Sequence, residues 1–143
     1  MTTTLRGDEE MNKDINSRDM ILFGEYNPEK YLGGIRSFDC CSLETIKTLL
    51  EKGFIDAEEC QNCSPSTSEF IEIAEIEGVD AEFGGYAVAI SRGDYRVTIT
   101  DITVEFDAGN IDLMIKMINE LRYADEFDMS INGGICQIYA WWD

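Results

Sequence analysis

The sequence predicts an α+β domain in which an N-terminal helical segment packs on a mainly antiparallel sheet, with a ββαββ-like C-terminal half. Three observations predict it. Up to residue 78 the apolar residues recur mostly at helical spacing; from residue 86 they alternate with period two; one more helical stretch, near residues 111–123, interrupts the strands. A chain of 143 residues suits one domain, taken as residues 20–143 behind a polar tail of residues 1–19 expected to be flexible.

Met20-Ile21-Leu22-Phe23 is a short apolar run and reads as an opening strand, followed by loop through Tyr26-Asn27-Pro28 and Gly33-Gly34. Ser42 is placed to cap a helix from Leu43 to Lys52, with Leu43, Ile46, Leu49 and Leu50 on one face and Gly53 as its stop. Asp56 and Glu59 have the spacing of a capping box and predict a second short helix. A third is expected after Ser64-Pro65, capped by Ser66 and Glu69 and running to Glu77, with Phe70, Ile73 and Ala74 inward.

Tyr86–Ile90 and Tyr95–Thr100 then read as strands of a hairpin joined by Ser91-Arg92-Gly93-Asp94. Ile102, Val104 and Phe106 have the opposite parity to Val97 and Ile99, so a bulge or tight turn is required near Thr100-Asp101. Asn110 caps the next helix, whose buried stripe is expected to be Ile111, Met114, Ile115, Ile118 and Leu121. Phe127, Met129 and Ile131 alternate, Asn132-Gly133-Gly134 turns the chain, and Ile135–Trp142 closes the sheet. Cys136 belongs to the core of that strand, and adjacent Trp141 and Trp142 point to opposite faces, one of them available as an interface anchor.

Charge is the dominant feature. Eleven Lys and Arg against 29 Asp and Glu give a net charge of -18, and there is no histidine. The missing histidine excludes Ser-His-Asp and Cys-His catalysis and His-ligated zinc. So acidic a chain is not expected to bind nucleic acid directly, which needs clustered cations; Glu69, Glu72, Glu75 and Glu77 likewise argue against a helix-turn-helix reading of the two central helices. No apolar run is long enough for a membrane span, no secretory signal is evident and the cysteine count is odd, so a cytoplasmic setting without membrane partners is expected.

Residues 53–91 hold nine acids and no Lys or Arg. Within them Glu69, Glu72, Glu75, Glu77, Asp80 and Glu82 form the candidate partner-binding row, with Trp141 and Trp142 as candidate anchors. Asp101, Glu105, Asp107 and Asp112 make a second acidic stretch, and Asp125, Glu126, Asp128 and Asp143 a third. Closely spaced carboxylates can stand in for a phosphate backbone, which carries one charge per ~3.4 Å of each strand, and so occupy a cation-lined groove. Such acidity also serves solubility alone.

Other motifs point to less. Cys40, Cys41, Cys60 and Cys63 are four thiols that could in principle hold structural zinc, but adjacent Cys40 and Cys41 fit one tetrahedron poorly and no second CxxC exists. Asp125 and Asp128 lack the spacing of a calcium loop, Arg92-Gly93-Asp94 is turn chemistry, and Gly33-Gly34 and Gly84-Gly85 lack a nucleotide-binding frame, so no cofactor is expected. No motif names a reaction. In size, acidity and absence of a catalytic motif the chain resembles phage-type inhibitors of nucleic-acid enzymes, such as anti-CRISPR and anti-restriction proteins, a likeness of character that carries over no residue. It implies a non-enzymatic inhibitor occupying a basic groove of a nucleic-acid-processing protein. Alternatives are an immunity-type protein that neutralises a toxin, and a carboxylate- or metal-dependent enzyme. Oligomeric state is left open.

Overall fold

The computed structural model describes residues 12–143. Helix α1 (Ile15–Phe23) begins where Asp14 accepts the Ser17 N–H at 3.2 Å, and ends where Gly24 turns left-handed at φ 75°. The strand expected at Met20–Phe23 is therefore the second half of a helix. The apolar run misled because it is partly exposed, while the buried side of the helix is made by Ile15, Arg18 and Asp19 at spacings of three and four. Of the expected tail, residues 1–11 lie outside the described residues, and residues 15–19 are already helical.

Arg18 and Asp19 are fully buried. The guanidinium donates to Asp19 Oδ1 at 2.9 Å, to the carbonyls of Val88 at 2.9 Å and Tyr95 at 3.2 Å, and to the Tyr31 hydroxyl at 2.6 Å. Tyr31 in turn donates to Asp19 Oδ2. One ion pair with its lone pairs and protons satisfied thus fastens α1 to the tip of the sheet.

Strand β1 (Ile35–Ser42) runs into helix α2 (Leu43–Glu51), capped by Ser42 as expected. The short helix expected at Asp56 is a turn instead: Asp56 Oδ1 accepts the Glu58 N–H at 2.9 Å, a local bond that competes with helix formation. Residues 54–66 continue without regular structure, held where Thr98 Oγ1 donates to Glu59 Oε2 at 3.0 Å. Helix α3 (Thr67–Ala74) carries the full Ser66–Glu69 capping box but stops three residues before the expected Glu77.

Strands β2 (Asp80–Val88) and β3 (Val97–Asp107), helix α4 (Ile111–Leu121), and strands β4 (Glu126–Asn132) and β5 (Ile135–Trp141) complete the ββαββ half. The sheet is antiparallel with order β1-β2-β3-β5-β4, so the N-terminal half contributes its fifth strand. The parity break falls where expected: Gly84 pairs Asp101 and Gly85 pairs Ile99, leaving Thr100 as the extra residue of a bulge. Gly85 is obligatory there, since a Cβ would fall on the Thr98 carbonyl oxygen.

The helices cover one face of the sheet. Phe83, Ile102, Val104, Phe106, Cys136, Ile138 and Ala140 meet Ile46, Leu49, Phe70, Ile73, Met117 and Leu121 in one core. The buried stripe of α4 is Leu113, Met117 and Leu121; of the expected stripe, Ile111 and Ile115 face out. Both stripes are apolar at helical spacing, so periodicity alone did not separate them. No described helix is long and apolar enough to cross a membrane.

Candidate functional site: an acidic sheet face

Strand side chains alternate, so the face turned away from the helices is set by register alone. Reading across β2, β3, β5 and β4, its rows are Glu82–Thr103–Tyr139–Asp128, Asp80–Glu105–Gln137–Ser130 and Gly84–Asp101–Trp141–Glu126, with Asp107–Ile135–Asn132 at the end. Every acid of these four strands lies on this face: Asp80, Glu82, Asp101, Glu105, Asp107, Glu126 and Asp128. None of the four strands contains Lys or Arg. Among the described residues, none of the seven carboxylates has an ion-pair partner.

With ~4.8 Å between strands and ~6.8 Å between alternate residues, the seven occupy an area of roughly 14 by 20 Å. Only Asp80 and Glu105 stand directly opposite each other; Thr103, Gln137, Tyr139 and Trp141 separate the rest, which limits the repulsion the sheet must bear. Gln137 donates to Glu105 Oε2 at 3.0 Å. Ser42, Asp80, Ala81, Glu82, Thr103, Glu105 and Gln137 line a shallow hollow of about 340 Å³.

The Asp101 carboxylate lies over Gly84, in space that a Cβ would fill, and Thr100 Oγ1 donates to it at 2.9 Å. Burial raises its pKa above the ordinary 3.8, opposed by the Thr100 hydrogen bond and reinforced by Asp39. Beside it the Tyr139 phenol is also raised, by burial first and then by Asp101 and Glu126. At the β1 bulge the Cys40 thiol is pushed up by Asp39, Glu82, burial and Asp101. Neighbouring carboxylates are thus the leading cause at Cys40 and a smaller one, after burial, at Asp101 and Tyr139.

The six acids of the candidate row do not stay together. Asp80 and Glu82 lie on this face, whereas Glu69 and Glu72 line a small cavity with Lys116 and Glu120 on the helical side. Glu69 accepts the Ser66 N–H at 2.9 Å, and Glu75 pairs with Lys47 at 2.8 Å. Glu77 is exposed beyond the end of α3. Trp141 is half-buried in the acidic face; Trp142 points the other way, buried edge-on against Phe70 with ring centroids 5.5 Å apart.

Cys41 is buried, paired across the ladder with Phe83, whereas Cys40, Cys60 and Cys63 are exposed. Among the described residues no group of three or more Cys, Asp or Glu is disposed to hold a metal. Asp101, Glu105, Asp107, Glu126 and Asp128 were visible in the sequence as acidic stretches but not as members of this site. Their signal is parity: 80 and 82, 101, 105 and 107, and 126 and 128 each keep a spacing of two or four. Comparison with known proteins finds no matching family model, no matching curated protein and no matching solved structure.

Proposed function

We propose that the acidic sheet face is a recognition surface for a cationic partner, namely the basic groove of a nucleic-acid-processing protein, with carboxylates taking the positions of phosphates. The observation that carries this reading is the confinement of seven acids, and no cation, to one face of four strands. Paired acids in a monomeric sheet only cost stability, and the helical side of the same chain does use Lys–Glu pairs such as Lys47–Glu75. The action is non-enzymatic: it steers the protein to the groove by long-range attraction and excludes the polyanion that belongs there. The reducing cytoplasm is the setting we expect, given five free thiols.

The test is capture of partners from lysate on the immobilised protein, at low and high salt, with duplex DNA or RNA as competitor. A nucleic-acid-binding protein retained at low salt, released by high salt and displaced by the polyanion is the expected result. Retained proteins that neither salt nor polyanion displaces would count against the reading. An immunity-type role against a toxin is the second reading, favoured by Tyr139 and Trp141, which stand in adjacent rows of the face. There, binding rests on the aromatic pair as well as on charge, so Trp141→Ala abolishes it while salt only weakens it.

A further inference from the structure

The two edges of the sheet are treated differently. Strand β1 is broken by a register shift between Phe38 and Cys41, carries Arg36, and holds Cys40 at φ 51°; irregularity and charge of this kind blunt an edge. Strand β4, at the other edge, pairs with β5 over seven residues without a shift and contains neither proline nor Lys or Arg. Its helix-side residues Phe127, Met129 and Ile131 stand opposite core residues of β5, yet Met129 is 39% and Ile131 57% exposed. On the outer surface of α4, Ile111 is 58% and Ile115 53% exposed. Apolar side chains therefore stand exposed along an unpaired edge.

We infer that β4 pairs with β4 of a second copy of this chain, antiparallel about a two-fold axis through Met129, joining two five-stranded sheets into one. The sequence of the strand is complementary to itself in that register. Phe127 meets Ile131 and Met129 meets Met129 on the helical side, while Glu126 meets Asn132 and Asp128 meets Ser130 on the acidic side. No acid faces an acid directly, and no apolar residue faces a polar one. Backbone geometry agrees. The two-residue Gly133-Gly134 turn closes on Asn132 and Ile135, the pair that exchanges hydrogen bonds within the hairpin. Counting in twos, Phe127, Met129 and Ile131 direct their N–H and C=O groups to the open edge, where the dyad register gives about six hydrogen bonds between copies. The dimer does not depend on the proposed function; it places two acidic faces side by side on one continuous sheet.

The test is sedimentation of the full chain across a concentration series up to millimolar, at low and high salt. A concentration-dependent dimer is expected, tightened by salt because the two Asp128 side chains lie diagonally across the junction. Met129→Lys should weaken it about a hundredfold by setting two unpaired ammonium groups at the axis. Met129 is partly exposed, so an unchanged circular dichroism spectrum separates this from unfolding. Ser130→Lys, which brings an ammonium opposite Asp128 of the second copy twice over, should tighten it roughly three- to tenfold. A chain that stays monomeric throughout overturns the inference, as does a dimer indifferent to both substitutions. Slow exchange of the Phe127, Met129 and Ile131 amides in a monomer would mean that the edge is already covered within the chain, and would overturn it equally.

Discussion

At the scale of single residues, Asp101 shows how the acidic face is held in place and what holding it costs. Its carboxylate occupies the space left by the missing side chain of Gly84, on the strand paired with it, and burial there disfavours the ionised form. A carboxyl whose pKa is raised on folding binds its proton more tightly in the folded chain than in the unfolded one. Ionisation therefore removes stability as pH rises from the ordinary value of 3.8 through the raised one, and the deficit persists to neutrality. Asp101→Asn keeps an acceptor for the Thr100 hydroxyl and has no charge to bury. Urea denaturation should find this variant more stable than the native chain at neutral pH, with the difference shrinking as pH is lowered toward the isoelectric point near 4.1. A difference that does not change with pH would contradict the assigned burial of the charge.

At the scale of elements, the attachments of the helices differ in kind. Helices α2, α3 and α4 are held by apolar faces and by side-chain caps, and all three were legible in the sequence because Ser42, Ser66 and Asn110 each precede an apolar stripe. Helix α1 is held by the Arg18–Asp19–Tyr31 cluster, whose bonds span up to 77 residues and leave no local trace. A buried charge pair inside a polar stretch looks like a solvated tail until its partners are known. Asp19→Ala should cost about 3–5 kcal/mol, because it strands the Arg18 guanidinium in a buried site. Replacing both by apolar residues should cost less than the sum of the two single changes, which a double-mutant cycle in urea would measure. Strand β2 was only half legible. It was expected to begin at Tyr86, yet Gly84 and Gly85 sit mid-strand where Asp101 and Thr98 come too close for a side chain. The true stripe of α4 was obscured for another reason: four apolar residues, Ile111, Met114, Ile115 and Ile118, lie outside the Leu113–Met117–Leu121 line, and only the position of α3 decides which flank is covered.

At the scale of the whole molecule, charge is distributed by layer. The helical layer contains paired cations, including Lys47 and Lys116, and the four strands that carry the acidic face contain none. The magnitude of the charge was legible from composition, and so was its concentration in acidic stretches. Which acids share a surface was not, because Glu69 and Glu82 lie 13 residues apart in one run yet on opposite sides of the sheet, whereas Glu82 and Asp128 share a row. Register, not proximity in sequence, assembles the site. The most direct test of cation recognition by this surface compares two variants of equal charge change. One neutralises the sheet face with Glu82→Gln, Glu105→Gln, Asp107→Asn and Asp128→Asn; the other neutralises the helical acids with Glu69→Gln, Glu72→Gln, Glu75→Gln and Glu77→Gln. Affinity for the captured partner, measured by calorimetry at low salt, should fall by a factor of ten or more for the sheet-face variant and change little for the helical one. Equal losses in the two, or a larger loss from the helical set, would contradict the account.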